Sequence, residues 1–272
     1  MGVMQTTEHT QPSRAFSASA RHSIFHNMLL SIIIPVFNEE RLVGDLLQKV
    51  ANLRLDHGMT KEIIVVNDGS SDYTHSAIIR FMQAHPQTGI QLIVHGENQG
   101  KGAAVRTGLE QSHGEIIIIQ DADLEYDPED ISEVVRPIVR GEAKVVYGSR
   151  ILMEKALGRS GVCGLITGKH PHSYVLAYLG GLTVTKFVNL LTGSRLTDEP
   201  TCYKCFHRAA LNGIVIEHND FAWEPEVTMK ILRQGIHIKE VPISYHPRKN
   251  REGKKINWKD GVKALWTIWQ YR

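Results

Sequence analysis

Ile116, Ile117, Ile118 and Ile119 stand in an unbroken row, and that row restricts the folds open to this chain more than any other stretch. β-branched side chains are stiff and suit a pleated strand. Because nothing in the run alternates toward water, the strand must be covered on both faces, the condition of a parallel sheet packed between helices. The run extends through Gln120 and then stops in Asp121-Ala-Asp123-Leu-Glu125. On an extended backbone, positions i and i+2 project to the same side. Asp121 and Asp123, with Glu125 as a third candidate, are therefore expected to face one point. Carboxylates that close repel unless a cation joins them, and a hard divalent ion accepts oxygen ligands while leaving positions for phosphate. An ordinary solvated acidic loop is the plain alternative, and the surrounding sequence decides between them.

The same rhythm recurs along the first half. Leu29 to Pro35, Glu62 to Val66 and Gln91 to Val94 read as strands, and helical spacing follows each. Leu42, Val43, Leu46, Leu47 and Val50 mark one helical face, Ala77, Ile78, Phe81 and Met82 a second, and Ala103 to Leu109 a third. Strands separated by helices imply βαβ units and a mostly parallel sheet flanked by helices. Ligands of such sheets bind outside the carboxyl ends of the strands. The polar clusters Pro35 to Glu39, Asn67 to Asp72 and Asp121 to Glu125 all fall at those ends, so one crevice can collect them.

The second half is less regular. Pro128 to Arg140 reads as helix and Ala143 to Tyr147 as strand, followed by Gly148-Ser-Arg150. Residues 152 to 172 carry glycines and cations with weak periodicity and read as a mobile loop. Tyr174 to Leu191 and Glu226 to Arg233 read as helices. Ile236 to Tyr245 alternates like a strand, with Pro242 marking an edge. Between Arg248 and Lys263, seven cations stand against two acids, a segment able to cradle phosphate or lie on anionic lipid.

Composition narrows the partners. Lys plus Arg total 31 against 29 Asp plus Glu over 272 residues, a balance that argues against nucleic acid. Cys163, Cys202 and Cys205 are too few for a disulfide framework and fit a reducing compartment. Cys202-x-x-Cys205-x-His207 has no second ligand pair at zinc-site spacing. No apolar run reaches the roughly 18 residues that a membrane span needs. Residues 1–27 lack the apolar centre of a signal peptide and read as a disordered tail ahead of a single domain over 28–272. A cytoplasmic protein, peripheral at a membrane, is expected.

Two phosphate motifs fail at Gly96-Glu-Asn-Gln-Gly100-Lys101-Gly102. A Walker loop needs four residues between its glycines and a hydroxyl after the lysine, and a dinucleotide fingerprint would want a small residue where Val105 stands. Lys101, opening a helix, remains suited to a diphosphate.

Six segments in order carry a resemblance: Ile34-Pro-Val-Phe-Asn-Glu39, Val66-Asn-Asp-Gly-Ser70, Asn98-Gln-Gly-Lys-Gly102, Asp121-Ala-Asp123, Gly148-Ser-Arg150 and Leu196-Thr-Asp198-Glu-Pro-Thr-Cys-Tyr-Lys204. From Leu29 to Arg272 the chain resembles family 2 glycosyltransferases, above all the dolichyl-phosphate mannosyltransferase and polyprenyl-phosphate sugar transferase branch. The resemblance implies a GT-A fold, a nucleotide-diphosphate sugar donor, a polyprenyl phosphate acceptor, Mg²⁺ or Mn²⁺, and inversion at the transferred carbon. It puts Pro35, Phe37, Glu39, Val66 and Asp68 at base and ribose, and Asp121 and Ala122 at the nucleotide. Asp121, Asp123 and Glu125 would hold the metal. Arg150 would reach a phosphate, and Arg248 and Lys254, with Lys255 beside them, would close over the diphosphate. Phe37 stands where the family often has Tyr, and Asn67 where it often has Asp.

A lipid phosphate is already ionised near neutral pH and needs little help from a base. A hydroxyl acceptor would need one, for which Asp198, Glu224 and Glu226 are the candidates, acidic capping of the helix being their other reading. A glycan acceptor and a silent nucleotide-sugar-binding partner of a membrane protein remain the alternative functions.

Overall fold

The computed structural model describes residues 28–56, 58–158, 172–247 and 258–272. The tail at 1–27, Cys163 and the cations Arg248, Lys249, Arg251, Lys254 and Lys255 lie outside the described residues, as does most of the loop expected over 152–172.

The described strands are β1 (Leu29–Val36), β2 (Thr60–Asn67), β3 (Gln91–Val94), β4 (Ile116–Ile119), β5 (Val145–Ser149), β6 (Lys204–His207) and β7 (Ile238–Pro242). They form one sheet in the order β3-β2-β1-β4-β6-β5-β7. β1, β2, β3 and β4 pair in parallel, as do β5 and β7. β6 runs antiparallel to both of its neighbours. The carboxyl ends of the other six strands therefore share one edge, and β6 enters the sheet from that edge.

The helices that flank this sheet are α1 (Val43–Asn52), α2 (Thr74–Ala84), α3 (Lys101–Gln111), α4 (Ile131–Val139), α5 (Arg150–Ala156), α6 (His172–Thr192), α7 (Trp223–Arg233) and α8 (Trp258–Gln270). All four isoleucines of β4 are fully buried, as are Ile32, Ile33 and Ile34 of β1. The unbroken β-branched rows thus become the double-covered centre of the sheet. α3 lies against β1 because Gly108 lets it: a Cβ there would stand 2.3 Å from Cγ2 of Ile33.

A proline near the end of a central strand is tolerated here for a visible reason. β4 pairs β1 only from Leu30 to Ile33, so Pro35 lies past the last β4 partner and leaves no ladder bond unmade on that side. The strand order reverses between β1 and β4, and a crevice opens at such a switch point.

Several expectations are adjusted. β6 gave no sequence signal. Arg150–Ala156 is helical where a loop was expected from residue 152, and α7 begins at Trp223 rather than Glu226. β7 covers only Ile238–Pro242, with Tyr245 forming a separate bridge to Tyr126. The backbone also does not stay extended through the carboxylates. β4 ends at Ile119 and Leu124 adopts a left-handed φ of 58°, so the chain turns between Asp121 and Glu125.

Candidate active site

The shared edge of the sheet and the helix starts beside it hold most of the described residues singled out from the sequence. Asn38, at φ 49°, stitches the first two ends together. Its amide donates to Ser70 Oγ at 3.0 Å and its side-chain oxygen accepts from Ser71 N at 2.9 Å. Pro35 and Phe37 are partly buried, and Glu39 is buried with its amide donating to Thr74 Oγ1 at 2.8 Å. Val66 is fully buried, with Ile64, Ala104 and the partly buried Ile93 around it.

Asp68, at the end of β2, has a strong structural occupation. It accepts from Gln99 N at 2.9 Å, Gly100 N at 2.8 Å and His95 Nδ1 at 2.7 Å. Its carboxylate thus holds the turn before α3, while His95 Nε2 lies 3.0 Å from Thr107 Oγ1. His95 follows β3 directly and could have been found as a polar residue at a strand end.

That turn delivers Lys101 into the crevice. Gly100 sits at φ +101°, and a Cβ on Gly102 would lie 2.1 Å from the carbonyl oxygen of His218. Only glycine allows the start of α3 to touch the 218–220 segment so closely, where Ala103 N donates to Asn219 O at 3.1 Å. Lys101 Nζ then lies 2.8 Å from Asp121 Oδ1, 3.0 Å from Oδ2 and 2.9 Å from Glu224 Oε1. The Phe221 ring stands 5.5 Å from the same ammonium. Burial alone would lower the lysine's pKa, but the charges around it, Asp121 foremost and Glu224 among them, hold it well above its ordinary value.

Across the crevice, Arg150 opens α5 at the end of β5. Its backbone amide and Nε donate to Asp198 Oδ2 at 2.9 and 2.8 Å, and Nη2 donates to Oδ1 at 2.7 Å. Such a forked ion pair fixes the plane of the guanidinium. Nη2 also reaches Pro200 O at 3.0 Å, and the Tyr245 and Tyr126 rings lie 5.0 and 5.9 Å from the guanidinium carbon. Asp198 is thus a partner of Arg150. Glu240, whose carboxylate accepts from the amides of Thr197 and Asp198 at 2.8 and 2.9 Å, fixes the Asp198 loop from below.

Asp123 and Glu125 occupy the turn after β4. Asp123 Oδ1 accepts from Glu125 N at 3.1 Å, and Glu125 Oε2 accepts from the Tyr245 hydroxyl at 2.8 Å. Ala122 is buried beside them. Among the described residues no three His, Cys, Asp or Glu side chains converge as a ready-made metal cluster. The donor set still fits Mg²⁺ or Mn²⁺, since such ions commonly take one or two carboxylates and fill the remainder with substrate phosphate and water. Asp121 and Asp123 are the carboxylates that would hold such an ion.

The two glutamates grouped together from the sequence separate. Glu224 reaches the crevice and meets Lys101. Glu226 is completely buried and faces away, accepting from Glu217 N at 2.8 Å, His218 N at 2.9 Å and Lys230 Nζ at 2.6 Å. Its placement as a candidate base is corrected: both oxygens are engaged in anchoring the 217–218 turn to α7. Cys202 and Cys205 are free and buried; Cys205 lies in β6, whereas the Cys202 thiol lies against the Asp121 carboxylate, and burial together with that charge holds its pKa well above the ordinary value.

The segment before β6 supplies a pair that sequence reasoning missed. Lys204 and Glu199 are both fully buried, with Nζ 3.6 Å from Oε1 and 2.6 Å from the Glu199 carbonyl oxygen. The Tyr147 ring lies 4.0 Å from the ammonium. Both stand in the Leu196–Lys204 segment that carries the resemblance, but neither residue type announces burial, so their pairing was not foreseen.

The sequence profile described as "Glycosyl transferase family 2" matches residues 31–173. A dolichyl-phosphate beta-glucosyltransferase of Trichomonas vaginalis is 28% identical over 232 residues, 81% of this chain and 66% of that protein. A dodecaprenyl-phosphate galacturonate synthase of Rhizobium johnstonii is 25% identical over 225 residues, 83% of this chain and 61% of that protein. The chain thus spans less than two thirds of the length of both. Among solved structures, glucosyl-3-phosphoglycerate synthase from Mycobacterium tuberculosis, in complex with Mn²⁺, uridine diphosphate and phosphoglyceric acid, superposes with a TM-score of 0.64. It is 16% identical, and the match covers 96% of this chain and 84% of that one. At that identity the likeness concerns the fold, the GT-A arrangement of a mostly parallel sheet between helices.

Proposed function

This chain belongs to glycosyl transferase family 2, and from that premise we propose that it moves a hexose from a nucleotide-diphosphate sugar to a polyprenyl phosphate, with inversion. The observation that carries the proposal is the convergence of Asp121, Lys101, Glu224 and the Arg150–Asp198 pair at one sheet edge. We read Pro35, Phe37, Glu39 and Val66 as the base and ribose side of the crevice, with Asp68 acting through the turn that it holds. Residues 28–272 form the catalytic domain in this reading, and Arg248, Lys254 and Lys255 remain candidates to close over the diphosphate.

The chemistry follows from charge. Departure of a nucleoside diphosphate concentrates negative charge on its terminal phosphate, and fixed cations aimed there stabilise it as it develops. Lys101 and Arg150 are the described residues placed to do so. Held by Asp121 and Asp123, with Glu125 nearby, Mg²⁺ or Mn²⁺ would add positive charge at the same place. Glu224 bears on the acceptor. Its carboxylate is engaged by Lys101 before the donor binds, and a lipid phosphate, which arrives ionised, asks little of it as a base.

Position relative to the membrane is consistent with such an acceptor. Among the described residues no helix is long and apolar enough to cross a membrane. α8 exposes Val262, Trp266 and Trp269 at one-turn spacing, with the exposed Lys259 and Lys263 alongside. Tryptophan among lysines suits a bilayer interface, and we place the protein peripherally at the cytoplasmic face. Lys263 pairs with Asp220, one residue from the Phe221 that lies beside Lys101, so this face adjoins the crevice.

The deciding assay offers UDP- and GDP-sugars to the protein with Mg²⁺ or Mn²⁺ and polyprenyl phosphate, and follows labelled lipid. Labelled lipid from at least one donor is expected. Transfer only to hydroxyl acceptors would replace the lipid reading, and nucleotide binding without transfer to any acceptor would make this a silent partner.

A further inference from the structure

Lys101 opens a helix at the end of the crevice where a diphosphate is expected, yet its ammonium is spent on carboxylates. It contacts both oxygens of Asp121, at 2.8 and 3.0 Å, and Glu224 Oε1 at 2.9 Å. We propose that Lys101 is the resident counter-ion of Asp121, and that a divalent cation gains full access to this carboxylate only when an arriving nucleoside diphosphate draws Lys101 away. The inference rests on the donor reading above.

Three features of the site support it. First, the ammonium lies within hydrogen-bond distance of both Asp121 oxygens, so a metal on either oxygen would share the carboxylate with a positive charge close beside it. Second, the Lys101 side chain is 11% exposed, Asp121 21% and Glu224 11%, so water screens this contact less than it would a surface pair. A dication placed on Asp121 beside an unmoved ammonium would meet strong like-charge repulsion. Third, a lysine can relocate without its helix moving. Its four-carbon stem swings a compact charge over several ångströms, and the amides at the start of α3 favour an anion at the place the ammonium would follow it to.

The exchange has a thermodynamic consequence. A diphosphate offers Lys101 a more highly charged partner than one carboxylate, and it supplies oxygens that complete the shell of a hard cation. Nucleotide therefore tightens metal binding, and by linkage the metal tightens nucleotide binding by the same factor. A lysine serving only as a structural clamp would behave oppositely, because its removal would loosen Asp121 and weaken the metal.

The test measures Mn²⁺ binding by calorimetry and electron paramagnetic resonance on the full chain, with and without UDP or GDP. For the unmodified protein, nucleotide should tighten Mn²⁺ by about tenfold or more, within the usual range of coupling between sites. Lys101→Met should bind Mn²⁺ alone about tenfold more tightly, with the nucleotide effect much reduced. Lys101→Arg, which keeps the charge, should resemble the unmodified protein, and adding Asp121→Asn to Lys101→Met should abolish the gain. Circular dichroism melting checks that each variant is folded, with Lys101→Gln as the substitute if Met is not tolerated. Equal or weaker Mn²⁺ binding by the folded uncharged variants overturns the inference, even if nucleotide binds normally. If neither UDP nor GDP binds, the donor reading fails instead, while the Mn²⁺-only comparison still decides the role of Lys101.

Discussion

Replacing Glu226 by Gln separates structure from chemistry at α7. The glutamine keeps the volume but turns one carboxylate oxygen into a donor, in a pocket whose partners are themselves donors. Oε1 accepts from Glu217 N at 2.8 Å and Lys230 Nζ at 2.6 Å, and Oε2 accepts from His218 N at 2.9 Å and lies 3.0 Å from His218 Nδ1. Whichever way the amide is turned, its NH₂ faces a backbone N–H it cannot satisfy, and the charge opposite Lys230 is gone. Lost hydrogen bonds to a charged group cost about 1.5–3 kcal/mol each, and breaking a buried pair about 3–5 kcal/mol. Lys230 keeps Glu217 at 2.7 Å, which puts the expected loss near the lower bound, about 3 kcal/mol. At roughly 2–4 °C per kcal/mol for a chain of this size, Tm should fall by about 6–12 °C. Differential scanning fluorimetry reads the shift. Transfer to lipid phosphate, assayed well below the new Tm, should stay within a few-fold of the unmodified rate. A hundredfold loss of transfer with Tm unchanged would refute the reasoning and return Glu226 to the reacting groups.

Lys204→Met should destabilise by about 3–5 kcal/mol, because it leaves Glu199 charged or protonated with no cation in a fully buried site. The double variant Lys204→Met/Glu199→Gln should recover part of that loss in denaturant melts, and strictly additive losses would contradict the pairing. Glu62 gives a pH signature. Burial alone would raise its pKa, but the Ser31 hydroxyl and the His113 and Gly114 amides outweigh it and hold the group below its ordinary value. Its contribution is therefore complete above the unfolded value of about 4.3 and is lost as pH falls through the lower folded value. Glu62→Gln should flatten the acid arm of a Tm-against-pH curve below about pH 4.3, and an unchanged arm would remove Glu62 from the account. At the membrane face, vesicles of phosphatidylcholine and phosphatidylglycerol should blue-shift tryptophan emission in the unmodified protein and much less in Trp266→Ser/Trp269→Ser. Equal shifts in both would place lipid contact elsewhere.

What the sequence disclosed and what it withheld follow from range. The ends of β1, β2 and β4 were legible because each strand is a local run of β-branched residues and each end a local cluster of polar ones. β6 was not, since Lys-Cys-Phe-His is four residues long and carries a lysine whose burial depends on Glu199 and Tyr147. The pairing of Glu224 with Glu226 as candidate bases failed on helix geometry. Residues two apart on a helix lie about 200° apart around its axis, so the two could not face one crevice, and only the start of α7 at Trp223 made that applicable. The turn between Asp121 and Glu125 was likewise hidden, because a left-handed leucine at position 124 is a property of its packing and not of its residue type.

The internal pairing of charge was the part of the site least legible in the sequence. Counting cations near the crevice suggests an open positive site waiting for a diphosphate, but both described cations are already matched within the protein. Lys101 is held by Asp121 and Glu224, and Arg150 by Asp198 over sequence separations that no local pattern encodes. On the donor reading proposed above, a diphosphate would meet Lys101 and Arg150 by exchanging partners with internal carboxylates. Exchange gains less affinity than a bare charge count implies, since each contact formed to a phosphate replaces one that already existed. It also favours ligands able to satisfy several groups at once. A simple anion such as sulfate can engage Lys101 or Arg150 but brings neither a bridging diphosphate nor a base and ribose to settle among Pro35, Phe37 and Glu39. On that reading, pairing each cation with a carboxylate of the same crevice would trade strength of anion binding for discrimination among anions.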